Sequence, residues 1–212
     1  WLTGYLIGAL FRFTFRLVGA SFVSHHQYMM HSRDFYPLAL SLDIMTLAAV
    51  SPTQQIANIQ PRLRGNWGVL STDLRMNQYI DYQDDNYNTL RAWEWQILQL
   101  NLNWSPRFST RIGTGIHKIS MANSTYSEHS LDIEWHTAPR LAVALGGRLS
   151  YDYSDAAPQR DIFKEANVRA ELKAIETAGF RAYFNAGLVY QDYFAGYVDF
   201  TTFLAGFRFV LY

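Results

Sequence analysis

Residues 70–77 read Leu70-Ser71-Thr72-Asp73-Leu74-Arg75-Met76-Asn77, and the parity of that stretch decides the fold. In an extended chain Leu70, Thr72, Leu74 and Met76 point to one side, and Ser71, Asp73, Arg75 and Asn77 to the other. Strict alternation of this kind is the signature of a strand with one apolar and one charged face, not of a helix.

Working outward, the same pattern recurs along the chain from Leu38 and resolves into ten segments bounded by turn residues. The first, 38–48, sets Leu38, Leu40, Leu42 and Ile44 against Ser41 and Asp43. The second, 56–64, opposes Ile59 and Leu63 to Arg62 and Arg64, and Gly65-Asn66-Trp67-Gly68 turns into the third, 69–81. In the fourth, after a polar loop at 82–89, Trp93, Trp95 and Ile97 share one parity while Leu98, Leu100, Leu102 and Trp104 take the other, which predicts a β-bulge at Ile97-Leu98. The fifth spans 108–119, with Arg111 and His117 facing away from Ile112 and Ile116. The sixth sets Leu131, Ile133 and Trp135 against Asp132, Glu134 and His136. The seventh, 141–152, opposes Leu145 and Leu149 to Arg148 and Asp152. A long polar loop, 153–160, precedes the eighth, in which Val168, Ala170 and Leu172 oppose Arg169, Glu171 and Lys173. The ninth starts at Phe180 and carries Arg181 on its polar face. The tenth, 198–211, sets Phe203, Phe207, Phe209 and Leu211 against Thr202, Gly206 and Arg208.

Composition excludes several classes. Aromatic residues make up 16% of the 212 and charged residues only 17%, with a mean hydropathy of −0.12. A helical membrane protein would show apolar runs of roughly 18 or more residues, and past the first thirty residues there are none. A transmembrane barrel conceals its hydrophobicity by alternation. Lys plus Arg equals Asp plus Glu at 18 each, which argues against nucleic acid as a partner. Cysteine is absent, so disulfides and thiolate chemistry are excluded.

The expected fold is therefore all-β: a transmembrane antiparallel up-and-down barrel of about ten strands, within a range of about 8 to 12. Short turns at 65–68, 105–107, 138–140 and 178–179 alternate with longer or more polar loops, as in outer-membrane barrels. An even strand number places the segment before strand one on the periplasmic side. That segment divides the chain into 1–33, an apolar membrane-associated region and linker, and 34–212, the barrel. As an amphipathic or apolar helix it would bury Leu6, Leu10, Phe13 and Leu17 in the membrane, with Arg12 and Arg16 snorkelling to phosphates. Phe11 to Leu17 also alternates and can be read as a strand.

The closing Phe207-Arg208-Phe209-Val210-Leu211-Tyr212 resembles the terminal strand that the bacterial barrel-assembly machinery recognises. Phe207, Phe209, Leu211 and Tyr212 would form that signal, although Tyr212 is one residue out of phase. The layout of apolar N-terminal segment, linker and short hairpins with Arg-rich faces resembles small outer-membrane barrels of the Bacteroidota. The resemblance covers most of the chain at the level of pattern. It implies integration in a Gram-negative outer membrane, with lipid and lipopolysaccharide as surroundings.

With the apolar faces toward lipid, the lumen receives Arg62, Arg64, Arg75, Arg111, Arg148, Arg169, Lys173, Arg181 and Arg208 against Asp43, Asp73, Glu94, Asp132, Glu134, Asp152 and Glu171. A barrel this narrow is filled by side chains, and balanced signs are what a closed lumen requires. A salt-bridged plug is expected in preference to a ligand or ion path.

No catalytic, cofactor or metal site is expected. Ten-stranded membrane proteases use Asp and His near the outer rim, which makes Asp81, Asp84, Asp85, Asp152, Asp155, His117 and His129 the residues to locate. Lipid A acyltransferases resemble the helix-plus-barrel layout in architecture alone. His25, His26, His31 and Tyr28 cluster in the linker and read as a polar interfacial segment. Glycines 113, 115, 146, 147, 187 and 206 open no helix, as a phosphate cradle would require, and read as relief of crowding or allowance of curvature in the wall. The leading functional expectation is a non-enzymatic subunit of a larger outer-membrane complex for barrel assembly, secretion or nutrient uptake. A narrow pore is the alternative, and a protease or lipid-modifying enzyme the next. A soluble lipocalin-like barrel with inward apolar faces is a further rival.

Overall fold

The computed structural model describes residues 38–50, 55–83, 86–105, 107–120, 124–152, 160–193 and 198–212. The N-terminal anchor residues, the linker histidines and the loop acids Asp84, Asp85 and Asp155 lie outside the described residues.

Ten strands form: β1 (Leu38–Val50), β2 (Gln55–Trp67), β3 (Leu70–Gln83), β4 (Asn86–Ser105), β5 (Phe108–Ile119), β6 (Ser124–Ala138), β7 (Leu141–Asp152), β8 (Arg160–Thr177), β9 (Phe180–Tyr193) and β10 (Val198–Leu211). Each pairs antiparallel with its sequence neighbour, and β1 pairs with β10 to close the barrel, with Leu40 opposite Leu211 and Ala48 opposite Phe203. Closure removes the unpaired edges that an open sheet would leave, the condition for strands to stand in lipid.

The faces sort as the parity requires, which reverses the lipocalin-like arrangement. On β1 the outward Leu40, Leu42 and Ile44 are exposed, while the inward Ser41 and Asp43 are buried. The parity slip is present: the β4–β5 register shifts between Trp95 and Leu98, so Ile97 and Leu98 both face outward. An outward indole also finds a partner on the wall: Trp95 Nε1 donates to Thr72 Oγ1 at 3.0 Å.

Several strands run further than alternation alone marks. The first turn is residues 68–69, with Gly65 to Trp67 inside β2; β6 begins at Ser124, and β8 begins at Arg160. Gly68 and Gly179 take positive φ angles of 68° and 82° in their turns, a conformation that costs glycine least. The turns 68–69, 139–140 and 178–179 and the short connection from Ser105 to Phe108 lie at one end, here the turn end; the longer connections lie at the other, the loop end.

Candidate functional site

The inward positions of ten alternating strands place polar side chains in one narrow space, so the lumen is where this chain concentrates its chemistry. Buried there, among the described residues, are six guanidinium groups, Arg62, Arg64, Arg75, Arg148, Arg169 and Arg208. They meet eight carboxylates, Asp43, Asp73, Glu94, Glu128, Asp132, Glu134, Glu165 and Glu171.

Asp73 is the hub of the central layer. Arg62 grips both its oxygens from β2, with Nε at 2.8 Å from each, and Arg148 reaches it across the lumen from β7 at 3.1 Å. Arg64 lies 3.5 Å away. Arg148 also donates to Glu94 at 3.0 Å and to Glu128 at 2.9 Å. Arg75 bonds Glu94 at 2.9 Å beside it and Glu165 at 2.8 Å on the far wall. Of these, Arg148–Asp73, Arg148–Glu94 and Arg75–Glu165 join strands that are not neighbours in the sheet, so they cross the lumen as well as pair its charges. One gap beside Arg62, Arg75, Asp132 and Arg148 measures about 10 Å³, room for about one water.

A second set lies nearer the turn end. Arg208 bonds Asp43 at 3.1 Å and Glu171 at 2.7 Å, and Arg169 bonds the other oxygen of Glu171 at 2.7 Å. Arg111 donates to Glu134 at 3.1 Å.

Toward the loop end the inward positions turn apolar. Ile56, Tyr79, Ala92, Ile119, Tyr126, Ile162, Phe163 and Tyr193 form a buried cluster. The Tyr79 and Tyr193 hydroxyls meet across the lumen at 2.8 Å, and Phe163 packs on Tyr193 with ring centroids 4.6 Å apart. This aromatic layer covers the charged one.

Three expected members of the charge network stand apart from it: Lys173, which pairs with Glu176 at the turn end at 2.6 Å, Arg181 and Asp152. Arg181 pairs with Glu176 at the turn end, at 2.7 Å, with its guanidinium 5.1 Å from the Tyr212 ring, because β9 starts only one residue before it. Asp152 closes β7 at the loop rim, opposite Arg160, and is not among the buried carboxylates. Glu128 and Glu165, by contrast, were missing from the expected lumen set. Carrying the alternation Glu128-Ser130-Asp132-Glu134 and Glu165-Asn167-Arg169-Glu171 back by a few residues would have included both.

The residues considered for proteolysis are not brought together. His117 is fully buried inside, whereas His129 is exposed on the outer face, so the barrel wall separates them. Asp81 shares the inward parity of Tyr79 on β3, on another part of the wall. The fold does unite a serine, a histidine and a carboxylate: His117 Nδ1 lies 2.9 Å from Ser150 Oγ and 4.0 Å from Glu128 Oε2. Both partners address the same ring nitrogen, so the imidazole cannot relay a proton between them as a triad does. Among the described residues no group of His, Asp and Glu is arranged to hold a metal ion.

Phe207 and Leu211 face outward and are exposed. Tyr212, out of phase with them, donates its hydroxyl to the Thr177 carbonyl at 2.9 Å and its backbone N–H to the Gly179 carbonyl at 3.1 Å.

No family model and no curated protein matches this chain. Among solved structures the barrel is similar to the NanC porin in its rhombohedral crystal form, at 8% identity over 81% of this chain and 98% of that one, with a TM-score of 0.41.

Proposed function

We propose that this chain is a sealed β-barrel of the bacterial outer membrane, a non-enzymatic structural or accessory subunit of a larger assembly. The observation that carries the reading is the lumen: cross-barrel ion pairs from Arg75 to Glu165 and Arg148 to Asp73 lie under a buried aromatic layer. A lumen used as strut and plug leaves the outer wall and the two ends as working surfaces. The partner would be another outer-membrane protein of a barrel-assembly, secretion or uptake complex. The turn end would face the periplasm.

The lipid-facing assignment makes a direct prediction. Leu145, outward on β7 between Ile133 and Val168, becomes costly to charge: Leu145→Arg should lower stability in bilayers by about 2–4 kcal/mol. Urea titration of tryptophan fluorescence in lipid vesicles would read this, and an unchanged midpoint would remove the lipid contact.

The sealed lumen makes another. The refolded full chain in a planar bilayer should give no conductance steps. Regular steps that change when Arg111 or Arg148 is neutralised would replace the sealed reading with that of a narrow pore. Mild-detergent extraction of native outer membranes, followed by mass spectrometry, should return a stoichiometric partner; a monodisperse lone barrel would count against the accessory role.

A further inference from the structure

At the turn end the lumen opens into a vestibule of about 470 Å³, within the range of about 300–1,000 Å³ typical of small-molecule sites. Its wall on β7 includes the small, buried Ala142, beside strands that carry long charged side chains.

Four cations line it, Arg107, Arg140, Lys173 and Arg181, together with His136. They come from two turns and three strands, and the backbone fixes their placement. The His136 N–H donates to the Arg107 carbonyl at 2.8 Å, and the Lys173 N–H donates to the Arg140 carbonyl at 2.8 Å. Each turn is thereby tied to the strand after next.

The lining carries two carboxylates, Glu171 and Glu176. Glu171 already accepts from Arg169 and Arg208, both at 2.7 Å. Glu176 accepts from Lys173 at 2.6 Å and from Arg181 at 2.7 Å. The wall thus keeps an excess of positive charge, in contrast to the lumen above it, where buried carboxylates outnumber guanidinium groups.

We propose that this vestibule binds a small ligand bearing two or more oxyanion charges, of the kind a phosphate ester or a lipid phosphate headgroup presents. Arg140, exposed on its turn, and Lys173 would make the direct contacts, and Arg181, held by Glu176 and the Tyr212 ring, would set the local field. The proposal concerns the open end and does not depend on whether the lumen conducts.

The test is calorimetric titration of the full chain, refolded in a non-ionic detergent at low salt, with inorganic pyrophosphate. Saturable one-to-one binding is expected. It should weaken about tenfold or more in Arg140→Gln and in Lys173→Gln, the loss of a charge-assisted hydrogen bond in each case. Lys118→Gln at the opposite end should leave it unchanged. Competition by a short-chain anionic phospholipid would identify a headgroup as the source of the phosphate; its failure to compete would identify a free ligand. Absence of saturable heat, or equal weakening in Lys118→Gln, would overturn the site.

Discussion

Asp73→Ala is expected to destabilise the barrel by about 3–5 kcal/mol, the usual cost of removing one partner from a buried ion pair. Three guanidinium groups converge on that carboxylate: Arg62 at 2.8 Å, Arg148 at 3.1 Å and Arg64 at 3.5 Å. After the change Arg62 keeps Asp132 at 3.5 Å, and Arg148 keeps Glu94 and Glu128. Arg64 keeps no carboxylate among those it meets in the described structure, and it is almost wholly buried. The loss should therefore exceed that of Asp132→Ala, which takes away only the longer Arg62 contact. Equilibrium unfolding in urea of the vesicle-embedded barrel measures both, and the double variant Arg64→Ala/Asp73→Ala should recover part of the deficit. Equal midpoints for Asp73→Ala and the unsubstituted chain would remove Asp73 as the hub.

Gly206→Ala should impair folding through space alone. Gly206 faces Met45 across the β1–β10 seam. A methyl group there would sit 2.2 Å from the Ile44 carbonyl oxygen and 2.8 Å from the Met45 Cα. Those atoms are backbone at the seam that closes the barrel, so relief requires a shift of a whole strand. The expected cost is about 1–3 kcal/mol or more, with a lower yield of closed barrel on refolding into vesicles. Gly147 is the control, since a methyl there meets nothing nearer than the Glu165 carbonyl oxygen at 3.6 Å. Gly147→Ala should be neutral or stabilising by about 0.4–1 kcal/mol through the unfolded chain. Equal effects at the two glycines would show that the seam has slack.

Alternation like that of Leu70, Thr72, Leu74 and Met76 with polar and charged neighbours, recurring along the chain, was enough to read strand type, strand number and which face points outward. A one-residue slip inverts every side chain, so the parity is strongly written. The same reasoning located the bulge at Ile97-Leu98. Strand ends were less legible, because the alternation weakens in polar stretches such as 124–130 and 160–166. Two buried carboxylates, Glu128 and Glu165, lie in those stretches and went unread for that reason. The glycines at 187 and 206 were legible as crowding relief but not as particular contacts: a methyl at Gly187 would lie 2.1 Å from the Val168 carbonyl oxygen, an approach made only by the paired strand.

What the sequence determined by itself is the set of side chains sent inward, since period two is a local property of an extended backbone. Only the tertiary structure decided who meets whom across the lumen. Closure of β1 on β10 brings Arg75 to Glu165, Tyr79 to Tyr193 and Arg148 to Asp73. Those contacts depend on the relative stagger of strands on opposite walls, which no single strand records. The vestibule is tertiary in the same sense: Arg107, Arg140, Lys173 and Arg181 are scattered along the chain, and they surround one space because the turns between strands return to the same end of a closed barrel.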